Sequence, residues 1–352
     1  MRKFTQVFRF CLVGIAFLVF SCDNDPGEMP RGEFEGGILI LNEGAFGAND
    51  GEVFHFDPML DAMNSDVFEG KNGRPFAGLL QDMVEADGRI YLVANTGKVE
   101  VVDARDFSSI GAVSTGLDIS RSLAVANQNL YISDWGPYDE NFNSPDSYIA
   151  VVNDPNGGNI SRKIPVSSRP EGLYVQNGNL LVACAAAGKL EVISLNDQTV
   201  GSSVEVDGTP ARFFEDGGRL FLFARGSDQV YFHEINRGSL GIQQTIAVAL
   251  EQPTGIFSHD GQGNVWVVTS SGWPDYEDAI AKITLNSAQV EQEALYTGSG
   301  FYGLGIHPGN GQIYVGDNNG FQGNGIVIVL QPDGQLVRTL AAGRGPSGFR
   351  FR

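Results

Sequence analysis

Cysteine is scarce in this chain, with three in 352 residues, at positions 11, 22 and 184. Cys11 sits in an apolar run near the start and Cys22 just after it, so the body of the protein keeps a single thiol. One thiol excludes an internal disulfide staple and a thiolate metal site. Cys184, inside LLVACAAAG, reads as a buried strand residue. Histidine is nearly as rare: His55, His233, His259 and His307 stand far apart, without the paired spacing of a metal site. No G-x-S-x-G elbow is present, and no nucleophile stands beside a base. Positive charge is also short, with 23 Lys and Arg against 42 Asp and Glu and a net charge of −19. Such a surface repels phosphate backbones and anionic membrane faces, which argues against either as a partner and gives the expectation of no nucleic acid.

Long hydrophobic runs are limited to one. FCLVGIAFLVF, residues 10 to 20, is too short to span a bilayer and follows Arg2, Lys3 and Arg9, the layout of a secretory leader. Val19-Phe20-Ser21-Cys22 resembles a bacterial lipobox, with Phe20 bulkier than that pattern usually has. The expectation is therefore a signal peptide over residues 1–21, lipidation at Cys22, a flexible tether over 22–35 and one domain over 36–352. Acyl chains contribute roughly 0.8 kcal/mol per buried CH₂, so a multiply acylated cysteine holds a soluble domain firmly at a membrane.

No linker interrupts residues 36 to 352, and internal repetition explains how so long a stretch forms one domain. In RPEGLYVQNGNLLVACAAAGKLEVISLNDQTVGSSVEVDG four strands follow one another: EGLYV, NLLVAC, KLEVISL and SSVEV. Aligned on Gly172, the same unit recurs at Asp82, Ser122, Arg212, Gly255, Gly303 and Gly348, in steps of 40 to 50 residues. Its strands are β-branched and aromatic runs, which favour sheet over helix. A period of about 40 to 50 residues with four strands is a propeller blade. ILILNEG, EVFHFDP and DVFEG lack a preceding first strand, and PSGFRFR is a first strand without successors. Together they make one blade, which predicts an all-β, seven-bladed propeller with four-stranded antiparallel blades, closed by the C-terminal strand pairing in the N-terminal blade.

Loop lengths then distinguish the two faces. Links between first and second strands are minimal Gly and Asn turns such as EADGR and NGN. Links between second and third strands are long in four blades: EGAFGANDG, WGPYDENFNSPDS, SGWPDYED and NNGFQGNG. They carry Phe46, Asn49, Trp135, Tyr138, Phe142, Trp273, Tyr276, Asn318 and Phe321, to which Tyr302 is added from the seventh blade. Aromatics flanked by Asn, Asp and Gly make a recognition rim, or fold back to cap the blades. Five inter-blade links on the same face carry Arg74, Arg121, Arg169, Arg212 and Arg344. They form either a positive ring for a phosphate, carboxylate or amide-rich ligand, or ion pairs with Asp82, Asp118 and Glu171. Glu43, Asn95, Asp134, Asp228, Asp317 and Asn318 lie near second-strand ends and are the oxygens that a calcium-dependent hydrolase would need.

The leader, LNEGAFGANDGEVFHFDP and the repeated P-x-G-L and G-x-L-Y-V elements resemble the YncE-like surface lipoproteins of Bacteroidetes-type bacteria, within which the sequence is similar to BtuG-type cobalamin-capturing propellers. Asp23 and Asp25, after the cysteine, are similar to the export signals of that group. The resemblance implies a monomeric, non-catalytic domain without cofactor, lipid-anchored at the outer membrane and facing outward. It implies cobalamin or a related corrinoid as ligand and a TonB-dependent transporter as recipient. A propeller lactonase using calcium, and a protein- or glycan-binding scaffold, are the alternatives.

Overall fold

The second strand of the second blade, Arg89–Ala94, is buried from Ile90 through Ala94, on both of its faces. Tyr91 and Val93 pack with Leu123 and Ile132 of the next blade, whereas Ile90 and Leu92 pack with Leu39, Leu41 and Val53 of the previous one. Every inner strand sandwiched in this way must be apolar on both sides, which is why these strands read as continuous hydrophobic runs rather than alternating ones. Each fully buried Leu, Ile or Val contributes about 1.5–3 kcal/mol, so the blades are held chiefly by their neighbours.

The computed structural model describes residues 32–272 and 274–352. They form seven four-stranded antiparallel sheets. The first blade joins Pro346–Phe351 to Ile38–Asn42, Glu52–Asp57 and Ala62–Asn64. The remaining six are continuous and begin with Leu80–Ala86, Ser120–Ala126, Pro170–Gln176, Thr209–Asp216, Pro253–His259 and Phe301–Ile306. Closure follows the expected scheme, with Leu39 opposite Arg350 and Ile40 opposite Phe349. Buried Asn42 reinforces it: its Oδ1 accepts from Gly343 N at 2.8 Å and its Nδ2 donates to Glu52 O at 3.2 Å. Among the described residues no helix is long and apolar enough to cross a membrane.

Two expectations are corrected. DVFEG is not the last strand of the first blade; Ala62–Asn64 is, and the helix Val67–Asn72 takes up most of DVFEG. Asp57 accepts from Met59 N and Leu60 N, which turns the chain back at once to pair Asn64 with His55. The helix then docks through buried Val67 and Phe68, and the Glu52 carboxylate accepts from Phe68 N at 3.0 Å and Glu69 N at 3.3 Å. The end of the expected tether also belongs to the folded body. Phe34 is buried edge-on against His55 and Phe107, and its N–H donates to Arg105 O at 3.0 Å. The expected signal peptide, Cys22 and Trp273 lie outside the described residues.

Candidate functional site

All seven first strands break register near the upper end. Ser120 and Ser122 pair with successive residues Asp134 and Ser133, which leaves Arg121 out of the ladder. The same break omits Gln81, Tyr302 and Ser347, and in other blades the residues around Glu171, Ala211 and Gly255. A bulge of this kind bends the strand and re-aims its extra side chain. The bulged positions come together at the mouth of the central channel, a space of about 340 Å³ walled by Gln81, Arg121, Tyr302 and Ser347, with Glu43 and Arg212.

One side of this mouth is a closed hydrogen-bond network. Glu43 accepts from Gln81 Nε2 at 2.6 Å and from the Tyr302 hydroxyl, which links the second, first and seventh blades. Burial, with the Glu43 charge beside it, pushes the Tyr302 phenol upward, so it stays protonated and donates. Phe321 packs edge-on against Tyr302 at 4.9 Å.

The third and fourth blades supply a stack of cations and rings. Arg121 and Arg169 place their guanidinium groups 4.5 and 4.8 Å from the Trp135 ring centre. Arg121 also pairs with Glu171 at 3.2 Å. Tyr138 meets Trp135 edge-on at 6.4 Å, and Phe142 meets Tyr138 at 6.1 Å. Local bonds hold the long loop carrying these rings. The Asp139 carboxylate accepts from Asn141 N and Asn143 N, both at 2.8 Å, Ser147 Oγ donates to Trp135 O, and Arg169 donates to Phe142 O at 2.8 Å. The Asn143 side chain and backbone bonds hold the Asp139 carboxyl below its ordinary range. Phe142 is 74% exposed even so, and the Trp135 indole N–H finds no acceptor among the described residues.

Beyond the stack, a cleft of about 750 Å³ runs over the fourth, fifth and sixth blades and opens onto Arg121, Glu171, Arg212 and Arg225. Arg212 and Arg225 are exposed, and neither guanidinium has a hydrogen bond or ion pair among the described residues. In a chain of net charge −19, two such arginines on neighbouring strands form a local positive patch.

The remaining expected residues are scattered. Arg74 stands apart from the channel, bidentate on Glu100 at 2.8 Å and 4.8 Å from the Phe68 ring centre, as an ion pair within the scaffold. Arg344 pairs with Asp50 at 3.1 Å, in the loop that also carries Asn49 and the almost wholly exposed Phe46. Asn318 and Tyr276 line a separate cleft between the sixth and seventh blades. Arg225 carries no signal in the sequence: it closes the second strand Arg219–Arg225 before a short loop, and loop length is what marks the rim. Gln81 was equally silent, because its bulge shows only in the pairing.

The oxygens considered for calcium do not converge as one set: only Asp317 and Asn318 share a cleft. Asp134 is spent on Asp118 N, Ile119 N, Ser120 Oγ and Gly136 N, Glu43 on Gln81 and Tyr302, and Asp228 accepts from Ser227. Among the described residues no group of three or more His, Cys, Asp or Glu side chains could hold a metal ion. No histidine lines the mouth or the clefts beside it. Cys184 is buried, and burial pushes its thiol upward, as a packing residue requires.

Several solved structures share the fold. A quinonprotein alcohol dehydrogenase-like protein from Bacteroides thetaiotaomicron is 14% identical, over 90% of this chain and 78% of that one, with a TM-score of 0.64. The periplasmic gluconolactonase of Pseudomonas aeruginosa is 14% identical over 89% and 98%, with a TM-score of 0.62. A candidate 6-phosphogluconolactonase of Bacteroides fragilis is 11% identical over 90% and 97%, with a TM-score of 0.63. At these identities the likeness is one of fold. No curated protein matches the sequence. Residues 36–341 match the family described as a domain of unknown function, DUF5074, and the chain belongs to that family.

Proposed function

We propose that the domain captures a ligand at the channel mouth without transforming it, the ligand carrying an anionic group and a broad body edged with polar groups. The observation that carries this reading is the pair of unpartnered guanidinium groups, Arg212 and Arg225, opening onto the cleft beside the mouth. Guanidinium groups bind phosphate and carboxylate in a fork geometry, and these two have no internal carboxylate to displace. Trp135, Tyr138 and Phe142 offer a half-exposed surface of edge-to-face rings, joined to the cleft through Arg121, which lies over Trp135, and Gln81 and Glu43 offer polar contacts across the mouth. A corrinoid of the cobalamin type, a ring edged with amides and carrying one phosphate, fits this chemistry, and the resemblance of the opening loop to BtuG-type propellers favours it over other anions. In this reading Cys22 anchors the protein at the outer face of the outer membrane, and a TonB-dependent transporter receives the cargo.

A second reading is hydrolysis of a sugar-acid or sugar-phosphate lactone, the substrates named for two of the fold neighbours. The same guanidinium pair would hold such a substrate, but the mouth carboxylates Glu43 and Glu171 already accept from Gln81, Tyr302 and Arg121. Both Glu43 oxygens are engaged and the Glu171 charge is paired with Arg121, which favours their roles as fixed polar groups over that of a general base, and so favours capture. Titration calorimetry of the soluble domain with cobalamin, with and without calcium, is the deciding experiment. Metal-independent binding weakened about tenfold or more by Arg212→Ala or Trp135→Ala is expected. No heat at roughly tens of micromolar ligand would remove the corrinoid. Calcium-dependent turnover of gluconolactone would instead establish the hydrolase.

A further inference from the structure

The cleft between the sixth and seventh blades, about 580 Å³, is lined by two neighbouring carboxylates and by no lysine or arginine. Asp278 opens the third strand of the sixth blade and is only 4% exposed. Its Oδ2 accepts from Phe301 N at 2.8 Å, while its Oδ1, equally buried, finds no donor among the described residues. Asp317 ends the second strand of the seventh blade, and its Oδ1 accepts from Asn319 N at 2.8 Å. Burial and the nearby Asp278 charge push the Asp317 carboxyl upward. Buried carboxylates are normally paired or fully hydrogen-bonded, and here buried Asp278 and half-buried Asp317 share one cleft with a backbone N–H each. Rings make up one part of the other walls, Tyr276, Phe301, Tyr302 and Phe321, of which Tyr276 and Phe321 reach solvent, and hydroxyl and amide side chains such as Thr254 and Ser270 make up the rest.

We infer that this cleft, which meets the mouth at Tyr302 and the neighbouring arginine-lined cleft at Thr254 and Ser270, is a second binding site with its own charged floor, and that it takes a ligand presenting a primary ammonium group on a compact apolar or aromatic body. An ammonium brings three donors and a positive charge to the Asp278 Oδ1 and Asp317 oxygens, and aromatic faces attract the same cation. Calcium would ask for six to eight oxygen ligands with more carboxylate than this cleft holds: two carboxylates face it, and no third acidic side chain joins them among the described residues.

Benzylamine is a suitable probe, with benzyl alcohol as its neutral counterpart, observed by saturation-transfer NMR and calorimetry on the soluble domain. Benzylamine is expected to bind about tenfold or more tightly than benzyl alcohol, and Asp278→Asn and Asp317→Asn are each expected to remove that preference. Arg212→Ala, at the mouth, should leave it unchanged, which separates this site from the capture site. Unchanged melting temperatures show that the variants fold, and Asp317→Asn alone suffices if Asp278→Asn does not. Equal affinity for the two probes, preference surviving in a folded Asp317→Asn protein, or calcium binding there without amine binding overturns the inference.

Discussion

Arg352 donates through Nη2 to the Glu85 carboxylate at 2.9 Å, so the C-terminal strand of the first blade is clasped by the second. Its Nη1 donates to the backbone oxygens of Phe34 and Ala104, which adds the segment before the first blade to the same clasp. Arg352 is largely buried, and removal of its guanidinium leaves two carbonyls without their donor and Glu85 with only the longer ion pair to Arg350 at 3.8 Å.

Arg352→Ala is therefore expected to cost about 2 kcal/mol, within the range for hydrogen bonds to charged groups. Deletion of Pro346–Arg352 goes further, because it strips the ladder partner from Ile38–Asn42 and exposes an edge. Thermal denaturation of the two variants should show graded loss. Melting of the deletion variant at the full-length temperature would show that closure does not depend on this strand.

Glu52 carries a pH dependence. It is 7% exposed and accepts from Val53 N, Phe68 N and Glu69 N, yet burial outweighs those bonds and raises its carboxyl to about 7. The unfolded chain releases this proton near the ordinary 4.5. Between these values the folded state holds more protons, so the group favours folding most at pH below 4.5 and that contribution is lost as pH rises through about 7. Glu52→Gln cannot titrate. Between pH 5 and 8 the wild type should lose about 2 kcal/mol relative to the variant in urea denaturation. A constant difference between the two proteins would place the titration elsewhere.

The sequence carried the architecture because each blade repeats one physical requirement. The alignment points Asp82, Ser122, Arg212, Gly303 and Gly348 are the residues at which the ladder resumes after its bulge, so the period found in the chain is the period of the channel wall. DVFEG misled because Val67 and Phe68 are apolar enough for a strand, and only the Asp57 turn and the Glu52 carboxylate decide for a helix. The rim was legible as long loops. The difference between Arg74, paired with Glu100, and Arg212, left free, was not, since it depends on which strand brings a carboxylate within reach.

The proposed attachment would rest on Cys22, before the propeller. Cys22→Ala should abolish acylation and release the protein from outer membranes into the soluble fraction, as fractionation with metabolic lipid labelling would show. Retention of the variant in the membrane fraction would mean that something other than the cysteine holds it there. Protease shaving of intact cells tests exposure separately, with cleavage of the lipidated protein expected.

Arg121 and Arg212 line the same mouth but should answer differently to removal. Arg121 holds Glu171 at 3.2 Å and lies over Trp135, so Arg121→Ala loses an ion pair and a cation–π contact, together about 1–2 kcal/mol of stability. Arg212 has no such partners, and Arg212→Ala should change stability by less than about 0.5 kcal/mol. Binding should show the reverse emphasis. Loss of Arg212 removes a free guanidinium from the ligand's anionic group, so affinity should fall about tenfold and the salt dependence of binding should flatten. Loss of Arg121 should weaken binding chiefly through the disturbed Trp135 surface, with its salt dependence kept by Arg212 and Arg225. Parallel melting and salt-titrated calorimetry of the two variants separates these effects, and an Arg212→Ala protein that binds as the wild type does at every salt concentration would remove the guanidinium pair from the ligand site.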